Sequence, residues 1–515
     1  ADPPPTGPFL DEAFRVVQAA MTSQAGRALA EIGQRAAAGD GQLADLLRRR
    51  QGLTNALAGV QDALARDGAD PVRLSAEAEA LATQLQGVDA DVAEDFPGFS
   101  ALIRPRPLSV ADVQALLAPD EALILTFVGD AGTTVFAISP RAAGWHRVSV
   151  ARKEIQRAVT LLRSDPDGPA RSAVALEPVA PGGLSFDRET AALLYQFLLA
   201  PMEPVFGRAT HLFIVPDGPL TALPFGMMVR EFTEGDDGDP AVWRKTDWLI
   251  RHHALTTLPT VESLRAVRRM PPPAADRLAF AGFGDPSLGG SLQVAALSRG
   301  VGVMRGGLAD GAQLRALAPL PQTRGELLRL ARTLGAVEGS VRLGAGATET
   351  AVKAADLSQT RVLAFATHGL LSGEIAGLDE PALVLTPPDD PSPADDGLLT
   401  ASEITDLKLD ADWVILSACN TAGAEGPEAE GLSGLARAFL FAGARSILVS
   451  HWPVRDDAAA RLTTTALARL ADGSAKGRAE ALQQSMLALM DDPRDPTLAH
   501  PSAWAPFVLV GEGGG

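Results

Sequence analysis

The sequence contains very little cysteine, with Cys419 as the single thiol among 515 residues. One thiol cannot form an internal disulfide, and it cannot build a cysteine-rich metal site. Stability must therefore come from packing, and the thiol is left for chemistry. The histidines at 211, 252 and 253 do not follow the spacing of metal ligands. The sequence therefore predicts neither a metal ion nor an organic cofactor.

Long apolar runs and positive charge are also scarce. No stretch of about 18 apolar residues occurs, so no segment is expected to span a bilayer. Lysine and arginine number 45 against 63 aspartates and glutamates, which gives a formal net charge of −18. A nucleic-acid-binding face needs excess positive charge to neutralise phosphates. Nucleic acid is therefore not an expected partner, and basic partners are favoured.

Hydrophobic residues are plentiful, at 46% of the chain, which is typical of a folded protein. A length of 515 residues predicts two or three domains. Residues 1–116 are rich in Ala, Leu, Gln and Arg, the composition of a helical hairpin or bundle. An apolar stripe recurs there at threes and fours, formed by Leu46, Leu53, Leu57, Val60 and Leu64. No copy recurs near 34 residues, so a tetratricopeptide array is not predicted.

The remainder of the chain alternates short apolar runs with amphipathic segments. Runs such as "HLFIVPDG", "VLAFAT", "WVILSA" and "SILVS" indicate strands that are buried on both faces. Such strands, separated by helices, predict an α/β fold with a parallel-rich sheet covered by helices. We expect one lobe over residues 117–272 and a second, with cleaner alternation, over residues 273–515.

Two of these runs end on a reactive side chain. "RVLAFATHGLL" at 361–371 delivers His368, and "DWVILSACNTAG" at 412–423 delivers Cys419. Sites in parallel sheets gather outside the carboxyl ends of the strands. A thiolate nucleophile needs a histidine to manage protons and backbone donors for the oxyanion. We therefore predict a Cys419–His368 pair, with the N–H groups of Gly369 and Cys419 as the oxyanion hole.

Several stretches resemble one known family. These are "FATHGLLSG", "DDGLLTASEITDL", "SACNTAGAEG", "SHWPVRDD" and the closing "HPSAWAPFVLVGE". They are similar to the CHAT family, a caspase-like cysteine peptidase family related to caspases, separase and gingipains, over roughly residues 110–515. The resemblance implies a caspase-like fold in which 117–272 is a degenerate lobe and 273–515 is the catalytic lobe. The family's catalytic pair falls on His368 and Cys419.

The same resemblance indicates a substrate preference. "SHWPVRDDAAARL" is similar to the separase segment whose aspartate pairs with the arginine before the scissile bond, and the matching position is Asp456. A carboxylate there would hold a guanidinium by paired hydrogen bonds. Cleavage after Arg, with Lys second, is the resulting expectation. An acidic residue where a helix begins is also a common cap, so Asp456 has that structural interpretation as well.

The Gly-rich stretch 283–322 shows little periodicity and predicts a long loop. If the enzyme cuts after Arg, then Arg299 and Arg305 in this stretch become candidate self-cleavage points.

The function predicted from the sequence is a cysteine endopeptidase acting on a protein substrate, with the N-terminal helices available to a regulatory protein. Two alternatives stay open at this point. One is a non-catalytic caspase-like scaffold that binds partners. The other is a thiol amidase or transpeptidase acting on small amides, since the same pair of residues serves both reactions. An Ala1 start suits a processed periplasmic or secreted protein, and otherwise the cytoplasm is expected.

Overall fold

The computed structural model describes residues 9–21, 46, 49, 53, 57, 60, 71–95, 107–172, 184–269, 277–291, 304–305, 308–337, 339–370, 378, 380–417, 434–452 and 455–514. Among the residues that stand out in the sequence, Leu64, Arg299 and Cys419 lie outside these ranges. The chain forms two compact units, one of Ala1–Val17 with Leu108–Gly515 and one of Gln18–Pro107.

The smaller unit, Gln18–Pro107, is helical wherever it is described. Leu46, Leu53, Leu57 and Val60 of the apolar stripe all have helical backbone. A second run forms one helix over Pro71–Asp95, in which Leu74 and Val88 are buried. The division of the chain at residues 116 and 272 stays a prediction.

Helices occur in both units. They are α1 (9–21), α2 (Pro71–Asp95), α3 (Val110–Leu116), α4 (Arg152–Ser172), α5 (Arg188–Leu198), α6 (Glu203–Phe206), α7 (Pro240–Lys245), α8 (Glu262–Arg269), α9 (Gly311–Arg315), α10 (Pro321–Thr333), α11 (Glu349–Ala354), α12 (Ala401–Thr405), α13 (Gly434–Phe441), α14 (Asp456–Ala471), α15 (Arg478–Met490) and α16 (Pro501–Trp504).

The strands of the larger unit form one large sheet and two small ones. They are β1 (Glu121–Gly129), β2 (Gly132–Ser139), β3 (Ala142–Val148), β4 (His211–Val215), β5 (Ala254–Thr257), β6 (Leu278–Pro286), β7 (Met304–Arg305), β8 (Leu308–Ala309), β9 (Val341–Gly344), β10 (Thr360–Ala366), β11 (Gly369–Leu370), β12 (Ala382–Val384), β13 (Leu398–Thr400), β14 (Trp413–Leu416), β15 (Ser446–Ser450) and β16 (Phe507–Gly511).

The large sheet has eleven strands in the order β3-β2-β1-β4-β5-β16-β15-β14-β10-β6-β9. Neighbours are antiparallel at β3–β2, β2–β1 and β16–β15, and parallel elsewhere. Helices cover both faces: α10, α14 and α15 contribute to one hydrophobic core, and α11, α12 and α13 to the other. The predicted α/β fold with a parallel-rich sheet flanked by helices is confirmed.

The prediction of a long loop over 283–322 is wrong for its described part. The strand β6 continues to Pro286, β7 and β8 pair as an antiparallel hairpin, and α9 follows directly. Asp310 starts α9 by accepting hydrogen bonds from the N–H groups of Ala312 and Gln313. Leu314 and Leu317 then pack into a third hydrophobic cluster with the small sheet β11-β12-β13. Elements this short leave no periodic pattern in the sequence.

Among the helices described, none is both long and apolar enough to cross a bilayer.

Candidate active site

The strands β10 and β14 lie side by side and run parallel at the centre of the site. Their register pairs Val362 with Trp413 and Phe365 with Leu416, a constant offset of 51 residues (413 − 362 = 51; 416 − 365 = 51). The ladder continues past β14, because the Ser417 N–H donates to the Phe365 carbonyl at 2.8 Å. His368 follows Phe365 by three positions, and Cys419 follows Leu416 by three positions.

Side chains alternate between the two faces of these strands. Val362, Ala364 and Ala366 of β10 belong to one core together with Leu327 of α10, whereas Leu363 and its neighbour at 365 face the other core. Ile415 of β14 shares the α10 face. Even-numbered residues of β10 and odd-numbered residues of β14 therefore point towards α10.

His368 is buried, with 5% of its surface exposed. Its Nε2 lies 2.8 Å from the carbonyl oxygen of Ala318, in the link between α9 and α10. A carbonyl only accepts, so Nε2 carries the proton and Nδ1 is the basic nitrogen of the neutral ring. Burial lowers the pKa of His368, and the hydrogen bond to Ala318 opposes that shift in part. The imidazole is thus oriented and neutral at neutral pH.

Gly369 begins the strand β11, which pairs antiparallel with β12. The Val384 N–H donates to the His368 carbonyl at 2.9 Å, and these two residues are directly opposite in the same register. Hydrogen-bonded and non-hydrogen-bonded pairs alternate along an antiparallel ladder. Gly369, opposite Leu383, is therefore in a non-hydrogen-bonded pair. Its N–H points away from β12.

The candidate nucleophile Cys419 lies outside the described residues, as do Glu425, Glu428 and Glu430 in the stretch that follows it. The nearest described residue before Cys419 is Ser417. Its hydroxyl donates to the Glu326 carboxylate of α10 at 2.7 Å. Sequence reasoning missed Glu326 and Ala318 as residues of this site. Each contacts a strand end that is at least 50 residues away in the chain, and no local pattern signals such a contact.

The candidate specificity residue Asp456 is the first residue of α14, and Arg455 precedes it as the N-cap. The Arg455 guanidinium holds the next residue, Asp457, by two hydrogen bonds of 3.1 and 2.8 Å, and it also binds Asp495 at 2.9 Å. Burial lowers the pKa of Arg455, but the hydrogen bonds to these two carboxylates outweigh it, so the net shift is upward. The carboxylate of Asp457 is therefore engaged within the protein.

The remaining candidates lie elsewhere in the larger unit. Arg305 is the second residue of β7 and pairs with Leu308 across a hairpin, whereas Arg299 is outside the described residues. Each of the three histidines of the first lobe has a polar partner: His211 contacts Thr256, His252 contacts Asp247, and His253 contacts the Ala209 carbonyl. Within the described ranges, no group of three or more His, Cys, Asp or Glu residues could hold a metal ion.

The fold and the strand ends define a mixed α/β protein whose candidate site lies at the carboxyl edge of a parallel-rich sheet. Residues 188–512 match the CHAT domain. Because this match covers more than half of the chain, the protein belongs to the CHAT domain family, which confirms the resemblance found in its sequence.

Individual relatives are more distant. Human Tetratricopeptide repeat protein 28 is 27% identical over 379 residues, which is 64% of this chain and 13% of the relative. The mouse protein of the same name is 28% identical over 370 residues, with 62% and 13% covered. The chain thus spans about an eighth of the length of these relatives.

Two solved structures have recognisable similarity. Separase in the Saccharomyces cerevisiae separase–securin complex gives a TM-score of 0.45 at 11% identity, covering 85% of this chain and 36% of that one. The Arg-specific cysteine proteinase gingipain R gives a TM-score of 0.33 at 11% identity, covering 63% and 66%.

Proposed function

We propose that this protein is a cysteine endopeptidase in which Cys419 is the nucleophile and His368 is its proton carrier. The observation that carries the proposal is the register of β10 and β14. The offset of 51 between paired residues equals the separation of His368 and Cys419 (419 − 368 = 51). If the ladder extends two residues beyond Ser417, Cys419 lies directly opposite His368.

The alternation of side chains supports the same pairing. His368 is even-numbered like Val362 and Ala364, and Cys419 is odd-numbered like Ile415, so both are expected on the α10 face. The hydrogen bond of His368 to Ala318, just before α10, agrees with that expectation. Neighbouring parallel strands are about 4.8 Å apart. A thiol and an imidazole on one face at that separation are within reach of a shared proton.

The proposed chemistry then follows from the atoms at the site. The Cys419 thiol gives its proton to Nδ1 of His368 and attacks the peptide carbonyl carbon, which places negative charge on the carbonyl oxygen. The N–H groups of Gly369 and Cys419 stabilise that oxyanion. The His368 proton passes to the leaving amine as the peptide bond breaks. Water then hydrolyses the thioester, and no cofactor is required for either step.

Asp456 is proposed to bind the arginine that precedes the scissile bond. The helix α14 begins at Asp456 soon after β15, the strand that neighbours β14, so this residue belongs to the same edge of the sheet. The adjacent carboxylate, Asp457, is occupied by Arg455. We therefore assign the arginine-binding role to Asp456 and not to its neighbour.

The organisation of the chain is part of the proposal. Residues 117–272 form a degenerate lobe, residues 273–515 form the catalytic lobe, and the helices of residues 1–116 bind a regulatory protein. The substrate is a protein.

The test is to profile a peptide library with the purified chain and with Cys419→Ala. We expect turnover with basic residues before the cut, and we expect none from the variant, because replacing a thiol by a methyl removes the nucleophile without adding bulk. Turnover that survives in Cys419→Ala would rule out the mechanism. Absence of turnover in both, with full partner binding after alkylation of Cys419, would favour the scaffold alternative.

A further inference from the structure

One short segment of the chain contacts both strand ends of the candidate site. Ala318, in the link before α10, accepts a hydrogen bond from His368 at 2.8 Å. Eight residues later, Glu326 accepts one from the Ser417 hydroxyl at 2.7 Å. Ser417 immediately follows β14 and precedes Cys419 by two positions. The segment 318–326 therefore holds the histidine side and the nucleophile side of the site at once.

The segment is well anchored, so it can fix what it holds. Pro321 is at the start of α10, where its missing N–H costs no helical hydrogen bond. Leu327 and Leu330 are fully buried in the core that contains Val362 and Ile415. Glu326 itself is only 8% exposed. A buried carboxylate on a packed helix offers a hydroxyl one fixed acceptor position.

We propose that Glu326 is a positioning residue, which holds the end of β14 through Ser417 so that the thiol of Cys419 meets Nδ1 of His368. The inference rests on the proposed function, since it concerns the same pair. Hydrogen bonds to an ionised acceptor are shorter and stronger than neutral ones. Side chains two apart on an extended strand share a face, so restraining Ser417 restrains the residue that follows it by two. Glu326 acts through Ser417 and does not touch the substrate.

The chain offers a direct readout that needs no substrate, because Cys419 is its only cysteine. Alkylation with iodoacetamide, followed by intact mass, measures the reactivity of that one thiol as a function of pH. An ordinary cysteine has a pKa of about 8.5, and a paired imidazole lowers it. We expect the wild-type protein to react well below that pH, and His368→Ala to lose this low-pH reactivity.

The variants that test Glu326 are Ser417→Ala, Glu326→Ala and Glu326→Gln. We expect each of the first two to shift the alkylation profile to higher pH, with about a tenfold lower rate at pH 7. The double variant should be no worse than either single one, because both remove the same bond. Glu326→Gln keeps an oxygen that accepts from Ser417 and should stay within about threefold of wild type. With peptide substrates, kcat should fall in parallel while KM stays unchanged.

Ser109→Ala is the matched control. The Ser109 hydroxyl donates to the Asp112 carboxylate at 2.6 Å at the start of α3, a bond of the same type in a part of the chain far from the site in sequence. Its loss should leave the alkylation profile unchanged. Circular dichroism checks that each variant folds, and Ser417→Ala, which removes a single oxygen atom, serves if Glu326→Ala does not fold.

The outcomes separate the two proposals. If His368→Ala moves the profile and Ser417→Ala and Glu326→Gln behave alike at wild-type level, then Glu326 has no positioning role and the inference is overturned. If His368→Ala itself leaves the profile unchanged, the Cys419–His368 pair is not formed, and the proposed function fails together with it.

Discussion

At the scale of single residues, the reactive side chains are visible in the sequence and their orienting partners are not. His368 and Cys419 stand out because each follows an apolar run of strand length. Ala318 and Glu326 do not stand out, since one contributes only a backbone carbonyl and the other is an ordinary glutamate in a helix. Which residues reach a strand end from 50 or 91 positions away is decided by packing, and packing leaves no local signal.

The proposed role of Asp456 has a matched test in its neighbour. Asp456→Ala should reduce kcat/KM for arginyl substrates by about a hundredfold or more, because a desolvated guanidinium loses its ionic partner. Substrates with an uncharged residue before the cut should be affected little. Asp457→Ala should leave the preference for arginine intact, since Arg455 already holds that carboxylate. A peptide-library profile of both variants is the measurement, and an unchanged preference in Asp456→Ala would remove the assignment.

At the scale of elements, the strands of the site were predictable and their alignment was not. "VLAFAT" and "WVILSA" are apolar throughout because β10 and β14 are buried on both faces of the sheet. The offset of 51 residues between them follows only from the ladder of hydrogen bonds. The stretch 283–322 failed as a prediction for the opposite reason: its two-residue strands and five-residue helix are too short to show a period.

The close approach of β6 to β10 gives a prediction for this part of the sheet. A Cβ atom at Gly284 would overlap the carbonyl oxygen of Ala366 and lie 2.8 Å from Cδ1 of Leu327. Gly284→Ala should therefore push away the end of β10, two residues before His368, and cost about 1–3 kcal/mol of unfolding free energy. Activity should fall more than stability does.

Gly289→Ala is its control, because nothing lies within 4 Å of the added methyl group. Urea denaturation and peptidase assays on both variants check the prediction. A Gly284→Ala protein with wild-type stability would show that β6 and β10 are not packed this closely.

At the scale of the whole molecule, one sheet runs through both predicted lobes. The last strand of the chain, β16, lies between β15 and β5 and is antiparallel to β15. The register Val510↔Thr257 joins the second half of the sheet to the first. The sequence predicts a parallel-rich sheet with helices on both faces. It does not predict that its closing strand sits in the middle, because strand order depends on long-range pairing.

Four buried histidines should make this molecule sensitive to mild acid. Burial lowers the pKa of His451 to about 3 and that of His253 and His500 to about 4, and it lowers the pKa of His368 as well. These groups stay neutral in the folded state, whereas the unfolded chain takes up protons once the pH falls below 6.5, the ordinary histidine pKa. Their contribution to stability is complete above that pH and is lost as the pH falls towards 4.

The expected slope is up to about 1.4 kcal/mol per pH unit for each histidine. Glu349 acts in the opposite sense, since burial raises its pKa to about 8, but it is one group against four. Urea midpoints at pH 7, 6 and 5 provide the measurement, in a window above the titration of ordinary carboxylates. A midpoint that is constant from pH 7 to 5 would contradict the prediction.

Self-processing is the prediction that involves the whole chain as both enzyme and substrate. A protease that cuts after arginine and carries Arg299 and Arg305 in its own 283–322 stretch should generate new termini on incubation. Because Arg305 pairs with Leu308 in the β7–β8 hairpin, a cut there requires that pairing to open first. Cleavage after Arg305 should therefore be slower in the protein than in a free peptide of the same sequence. Intact mass over time, with Cys419→Ala as the inactive control, identifies the products. Arg299→Gln and Arg305→Gln assign each cut, and a mixture of active wild type with tagged Cys419→Ala distinguishes cutting within one molecule from cutting between molecules. If the mass of the active protein stays constant while it turns over peptides, neither arginine is a processing site.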